Sequence, residues 1–95
     1  MALMTPEDFD PWVGRAVRVN TVPAPVEVLL TRVERHKVFP GAFREPFSLF
    51  FESAQAVYLL DATYEFDCGR GGPHTIHISQ LRRPPGPRLY QAVFN

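Results

Sequence analysis

From Ala16 onward, apolar side chains recur at every second position in short runs, and proline or glycine cuts the runs apart. In "RAVRVN", Val17 and Val19 fall on one face and Arg18 on the other. In "HTIHISQL", Ile76 and Ile78 share a face and His77 opposes them; in the closing "LYQAVFN", Tyr90, Ala92 and Phe94 line up. A period of two is that of a pleated strand with one buried side. "PVEVLLTRVERHKV" begins with Val26, Val28 and Leu30 in phase, then slips to Val33, which predicts a β-bulge or bend between Leu29 and Arg32. "FSLFFES" and "AVYLL" are separated by a few small or polar residues and read as a hairpin, while "ATYEFDC" brings Tyr64 and Phe66 together.

The breaks carry as much weight as the runs. Ten prolines against six glycines work against long helices. "TVPAP", "FPGAFREP", "GRGGP" and "RRPPGPR" read as turns or loops, because proline lacks the donor that a ladder requires. About six or seven short antiparallel strands in mostly local hairpins predict an all-β fold, a small barrel or sandwich whose meander can close on itself.

The helix signal is confined to "MTPEDFDPWVG". Thr5 can cap, Pro6 suits the first helical position, Glu7 and Asp8 favour the positive end of the dipole, and Gly14 stops the turn. Pro11 limits it to a turn or two, so residues 5–14 form a short helical lid over a β domain spanning 15–95. With 95 residues, the whole chain 1–95 is one domain.

Charge and cysteine content remove several functions. Formal net charge is zero, which argues against a general binder of nucleic acid or of an anionic membrane. The single Cys68 cannot form an internal disulfide. No basic leader followed by an apolar run is present, nor any run near the roughly 18 apolar residues of a spanning helix, so a cytoplasmic protein, or one built into an assembled particle, is expected.

No set of catalytic residues converges. His74 and His77 lie three apart, on opposite faces of a strand, and zinc needs three or four ligands meeting at one point; solvent-facing histidines are the simpler reading. Cys68 in "DCGRGG" has no nucleophile signature around it and reads as a half-buried thiol at a strand end. "GRGGP" lacks the Lys-Ser/Thr pair and the following helix of a phosphate loop, and reads as a turn needing positive φ. Asp61, Glu65 and Asp67 belong to an outer face, not to a substrate cleft. The expectation is a non-enzyme with no cofactor and no metal.

Two features point instead to contacts. In "REPFSLFFES", Phe47, Leu49 and Phe51 share the inner face, which leaves Phe50 on the outer one. Either the lid carrying Phe9 and Trp12 covers it, or a partner chain does. Charge is also uneven along the chain: Glu7, Asp8 and Asp10 open it, while Arg82, Arg83 and Arg88 follow the last acidic residue. The two ends either neutralise each other within the fold or join neighbouring subunits head to tail. A ligand held in the barrel interior or mouth, apolar or sugar, would instead be lined by Trp12, Tyr58, Tyr64 and Tyr90.

The segments "PWVGRAVRV", "REPFSLFF", "ATYEF" and "YQAVFN" together resemble a family of short bacterial proteins registered as a domain of unknown function. The resemblance runs from about Phe9 to Asn95, and its most specific pieces are Arg44-Glu45-Pro46-Phe47-Ser48-Leu49 and Ala92-Val93-Phe94-Asn95. Where that family carries Gly-Thr-Tyr, this chain has Ala62-Thr63-Tyr64. The resemblance supplies no catalytic residues. It implies a neighbourhood of phage-tail-collar-like proteins, and with it a structural or accessory role in a fibre- or tail-like assembly. The expected function is therefore protein–protein contact, with a second copy or a fibre-type partner; the alternative is a small-ligand-binding barrel.

Overall fold

The computed structural model describes residues 4–21, 24–36, 46–54, 57, 59–69, 72–82 and 87–94. Six strands follow a short helical segment: β1 (Ala16–Val19), β2 (Val26–Arg35), β3 (Phe47–Ser53), β4 (Ala62–Asp67), β5 (His74–Arg82) and β6 (Arg88–Phe94). They form a closed barrel in the order β1-β2-β3-β6-β5-β4, all pairs antiparallel. The barrel is thus two three-stranded meanders, β1–β3 and β4–β6, joined edge to edge at β3/β6 and at β1/β4. Closure leaves no free edge strand for aggregation.

Alternation sets which side chains fill it. Val17, Val19, Val28, Leu30, Phe47, Leu49, Phe51, Phe66, Ile76, Ile78, Tyr90, Ala92 and Phe94 are buried in one cluster. The bulge falls where the phase slips, between Leu30 and Arg32. There the Thr31 hydroxyl donates to the Phe50 carbonyl at 2.9 Å, satisfying an acceptor at the point of the slip. Beyond the bulge Val33 and Arg35 oppose Leu49 and Phe47, while Arg32 opposes Phe50 on the outer wall.

One expected hairpin is not formed. The free side of β3 is taken by β6, in register from Phe47 opposite Phe94 to Ser53 opposite Arg88. Among the described residues of "AVYLL", Val57, Leu59 and Leu60 lie outside any strand. Their backbone is claimed elsewhere: the Tyr90 hydroxyl accepts from the Leu59 N–H at 3.1 Å and donates to the Val57 carbonyl at 3.4 Å. Leu59 itself is buried in the core cluster.

At the N-terminus, α1 (Pro6–Phe9) runs into a 3-10 turn over Asp10–Trp12. The Asp8 carboxylate accepts from the Thr5 backbone N–H at 2.8 Å, the reciprocal half of a capping box. Gly14 then takes φ 79, a left-handed turn that feeds β1. Gly69 and Gly72, the described glycines of "GRGGP", take φ 75 and 81, the positive values expected of that segment. Among the described residues, no helix is long and apolar enough to cross a membrane.

Candidate interaction surface

The two ends of the barrel are closed by different chemistry. At one end sits the lid. Phe9 and Trp12 are fully buried and meet edge to face with ring centroids 5.2 Å apart. Phe9 also lies 6.0 Å from Phe47 and 5.8 Å from Phe94, which are themselves stacked at 4.5 Å. The half-buried His74 ring completes the cluster, 5.2 Å from Phe9 and 5.5 Å from Trp12. The lid therefore plugs the barrel beside Phe47 and Phe94, and the expectation that it covers Phe50 is corrected: Phe50 points out of the wall. At 6% exposure Phe50 is nevertheless covered within its own chain, with the Arg32 guanidinium 4.2 Å above its ring.

At the opposite end the inward positions turn polar. Gln80 stands opposite Tyr90, and Ser53 opposite Arg88. Ser53 Oγ donates to the Val57 carbonyl at 3.2 Å and Arg88 Nη1 donates to Gln80 Oε1 at 3.4 Å. Tyr90 is fully buried, and its hydroxyl fastens the connection between the two meanders. Tyr90→Phe should therefore lower stability by about 1–3 kcal/mol in urea unfolding, since it strands the Leu59 N–H. No loss would mean that another acceptor takes that donor.

The acidic N-terminus finds its countercharge inside the fold, on a residue the sequence did not single out. Arg35 donates from Nη1 to Glu7 Oε2 at 2.7 Å and from Nη2 to Asp10 Oδ2 at 3.0 Å. Asp8 is engaged in the cap. Among the described residues, the partner of Glu7 and Asp10 is Arg35. Of the C-terminal arginines, Arg88 is half-buried against Gln80, while the Arg82 side chain and Arg83 lie outside the described residues. The signal for Arg35 was present in the phase slip: a shift after Leu30 carries Val33 and Arg35 to the inner side, where Arg35 meets the lid at the rim.

Of the residues proposed to line a ligand site, the three described ones are engaged within the chain. Trp12 is in the lid cluster, Tyr90 is in the polar anchor, and Tyr64 donates its hydroxyl to the Leu60 carbonyl at 3.0 Å; Tyr58 lies outside the described residues. The shallow, solvent-open depression at the β1/β4 seam is lined by Gly14, Arg15, Ala16, Cys68 and Gly69. Cys68 there lies 3.7 Å from the Ala16 carbonyl, with neither a histidine nor a carboxylate among those lining residues. Among the described residues no group of three or more His, Cys, Asp or Glu side chains is placed to hold a metal ion. His36 binds the buried Ser48 hydroxyl at 2.7 Å, and His77 binds Thr63 at 3.2 Å.

Apolar surface is found on the outside of the barrel instead. Leu60, Leu81 and Val93 are 65%, 51% and 54% exposed, and Val13 and Leu29 are exposed as well. Leu60 and Leu81 belong to one rim, because the Gln80 N–H donates to Asp61 Oδ1 at 2.9 Å and so ties their neighbours together. The half-buried Leu89 stands opposite Arg82, the residue after Leu81, and the next two strands continue the row with Glu52 of β3 and Leu29 of β2. Leu29 and Leu89 thus share one outer row with Glu52 and the Arg82 position, and Leu81 and Leu60 lie beside it at the rim. Alternation from the inward Ile76 and Ile78 already puts Leu81 on the outer face; the second register shift, between Gln80 and Arg82, brings Arg82 rather than Leu81 opposite Leu89.

A family model described as a domain of unknown function (DUF6916) matches residues 4–94. Neither the curated proteins nor the solved structures contain a match to this chain.

Proposed function

We propose that this chain, which belongs to the DUF6916 family of domains of unknown function, is a non-enzymatic β domain that works by protein–protein contact, with a second copy or with a fibre-type partner. The observation that carries the reading is where the apolar surface lies. The interior is filled by large side chains, so little room remains for a ligand. The outer leucines Leu29, Leu60, Leu81 and Leu89, by contrast, offer apolar area that a single copy leaves partly in water. Burying such area against another protein gains about 25 cal/mol per Å² before the cost of association is subtracted. Resemblance to proteins found beside phage-tail-collar-like ones gives the reading its setting, an accessory part of a fibre- or tail-like particle.

Light scattering across a concentration series tests it. Association that rises with concentration is expected, and Leu81→Asp should weaken it at least tenfold while leaving the melting temperature nearly unchanged, because that side chain is half in water already. A strict monomer at high concentration, with no neighbour-encoded partner retained in a pull-down, would sink the proposal.

A further inference from the structure

The polar end of the barrel carries two groups that find no partner among the described residues of one copy, and both stand beside leucines. The first is a donor. Gln80 Nε2 is buried, and among the described residues no acceptor meets it. Turning the amide over would not help, because Gln80 Oε1 accepts from Arg88 Nη1 at 3.4 Å and arginine carries donors only. A buried donor without an acceptor is destabilising, whereas one that meets a carboxylate makes one of the stronger hydrogen bonds. The second group is an acceptor. Glu52 is half-buried in the outer row between Leu29 and Leu89, and it makes no ion pair among the described residues.

Within one chain this donor and this acceptor lie on opposite sides of the wall. Glu52 stands opposite Leu89 on the outer face. Ser53 and Arg88, the next pair, face the interior, as does Gln80 opposite Tyr90. Both groups nevertheless belong to the same end of the barrel, where Leu60 and Leu81 stand exposed at the rim. Asp61, also at this rim, is held by the Gln80 backbone N–H at 2.9 Å.

We infer that two copies pair end to end through this rim, on a two-fold axis. Glu52 of each copy reaches the Gln80 amide and the Arg88 guanidinium of the other, and the leucines close around the contact. This inference rests on the protein-contact reading above and names the partner as a second copy of this chain. A two-fold axis makes every contact twice, residue i meeting j while j meets i. One patch that holds both a surplus donor and a surplus acceptor is therefore complementary to itself. The leucines have their own part in it, since apolar neighbours that exclude water strengthen the polar contact they surround.

Charge exchange decides it. Glu52→Arg and Arg88→Glu each set like charges face to face, twice in a pair of identical copies. Light scattering over a concentration series should find association weakened at least about tenfold in either variant. Mixed in equal amounts, the two variants should recover most of the lost association, because each copy then meets opposite charge at both contacts. Loss of structure in either variant would not give that rescue. If circular dichroism shows that Arg88→Glu does not fold, Gln80→Leu takes its place. It removes the buried donor, so association should fall about tenfold while the melting temperature of the dilute chain is not lowered. Unchanged association in Gln80→Leu or in Glu52→Arg, or a mixture of folded variants that stays apart, means that end-to-end pairing is wrong and that the contact reading stands on another surface. A chain that is monomeric at every concentration overturns both.

Discussion

Trp12→Ala is expected to cost about 3–5 kcal/mol, the range for truncating a fully buried large aromatic. For a domain of this size each kcal/mol moves the melting temperature by about 4–8 °C, so the midpoint should fall by roughly 20 °C. The reason is geometric. Trp12 is wholly buried, packs edge to face on Phe9, and sits beside His74 at the mouth that Phe47 and Phe94 floor. Removing it leaves a hole at the end of the barrel, and the neighbouring Phe9 loses the surface that holds it there. Circular dichroism melts of the variant measure this. A shift below about 5 °C would mean that the lid rides on the barrel without closing it.

The comparison with Arg35 shows which force holds the lid. Its two ion pairs with Glu7 and Asp10 are short, but all three side chains are largely in water. Pairs of that kind are worth about 0–1 kcal/mol each. Burial of Phe9 and Trp12 outweighs them several-fold, so the charges orient the lid and the rings keep it shut. At the acidic end, Glu7 and Asp10 find a countercharge in Arg35 of the same chain.

Most of the wall was readable because one-sided strands write their geometry into alternation. Val17 and Val19, Ile76 and Ile78, and Tyr90, Ala92 and Phe94 all face inward as the period of two requires. The phase slip after Leu30 gave the bulge. Pairing between distant strands was not readable. Nothing in "FSLFFES" says that its second neighbour is the C-terminal strand, since ladder hydrogen bonds are made by backbone groups common to every residue. A local hairpin with "AVYLL" satisfies the same pattern, and what excludes it is β6 on the free edge of β3, while the Leu59 N–H is taken by the Tyr90 hydroxyl, 31 residues away in sequence. The partners of Trp12, Tyr64 and Tyr90 were hidden for a related reason. A tyrosine or tryptophan in a small core looks the same in sequence whether its polar end meets a ligand or a carbonyl of its own chain.

The outward phenylalanine of β3 yields the second large effect. Phe50→Asp should destabilise the dilute, unassembled protein by about 3–5 kcal/mol, combining the loss of a buried ring with the cost of a carboxylate where little water reaches. Arg32 offsets only part of this. Its guanidinium now lies over the ring, but its side chain is 62% exposed and shares an ion pair with Glu34 at 3.4 Å, so water already satisfies much of its charge. An aspartate is also too short to fill the ring's place. Arg32→Ala, by contrast, removes a cation–π contact worth about 0.5–1 kcal/mol at an exposed site. The two variants therefore separate the roles of ring and cation in urea unfolding at low concentration. A folded Phe50→Asp chain with unchanged stability and lost assembly would show that a neighbour covers the ring in the working protein. Strong destabilisation in dilute solution is expected instead, because the chain already hides 94% of Phe50 by itself, its exposure being 6%.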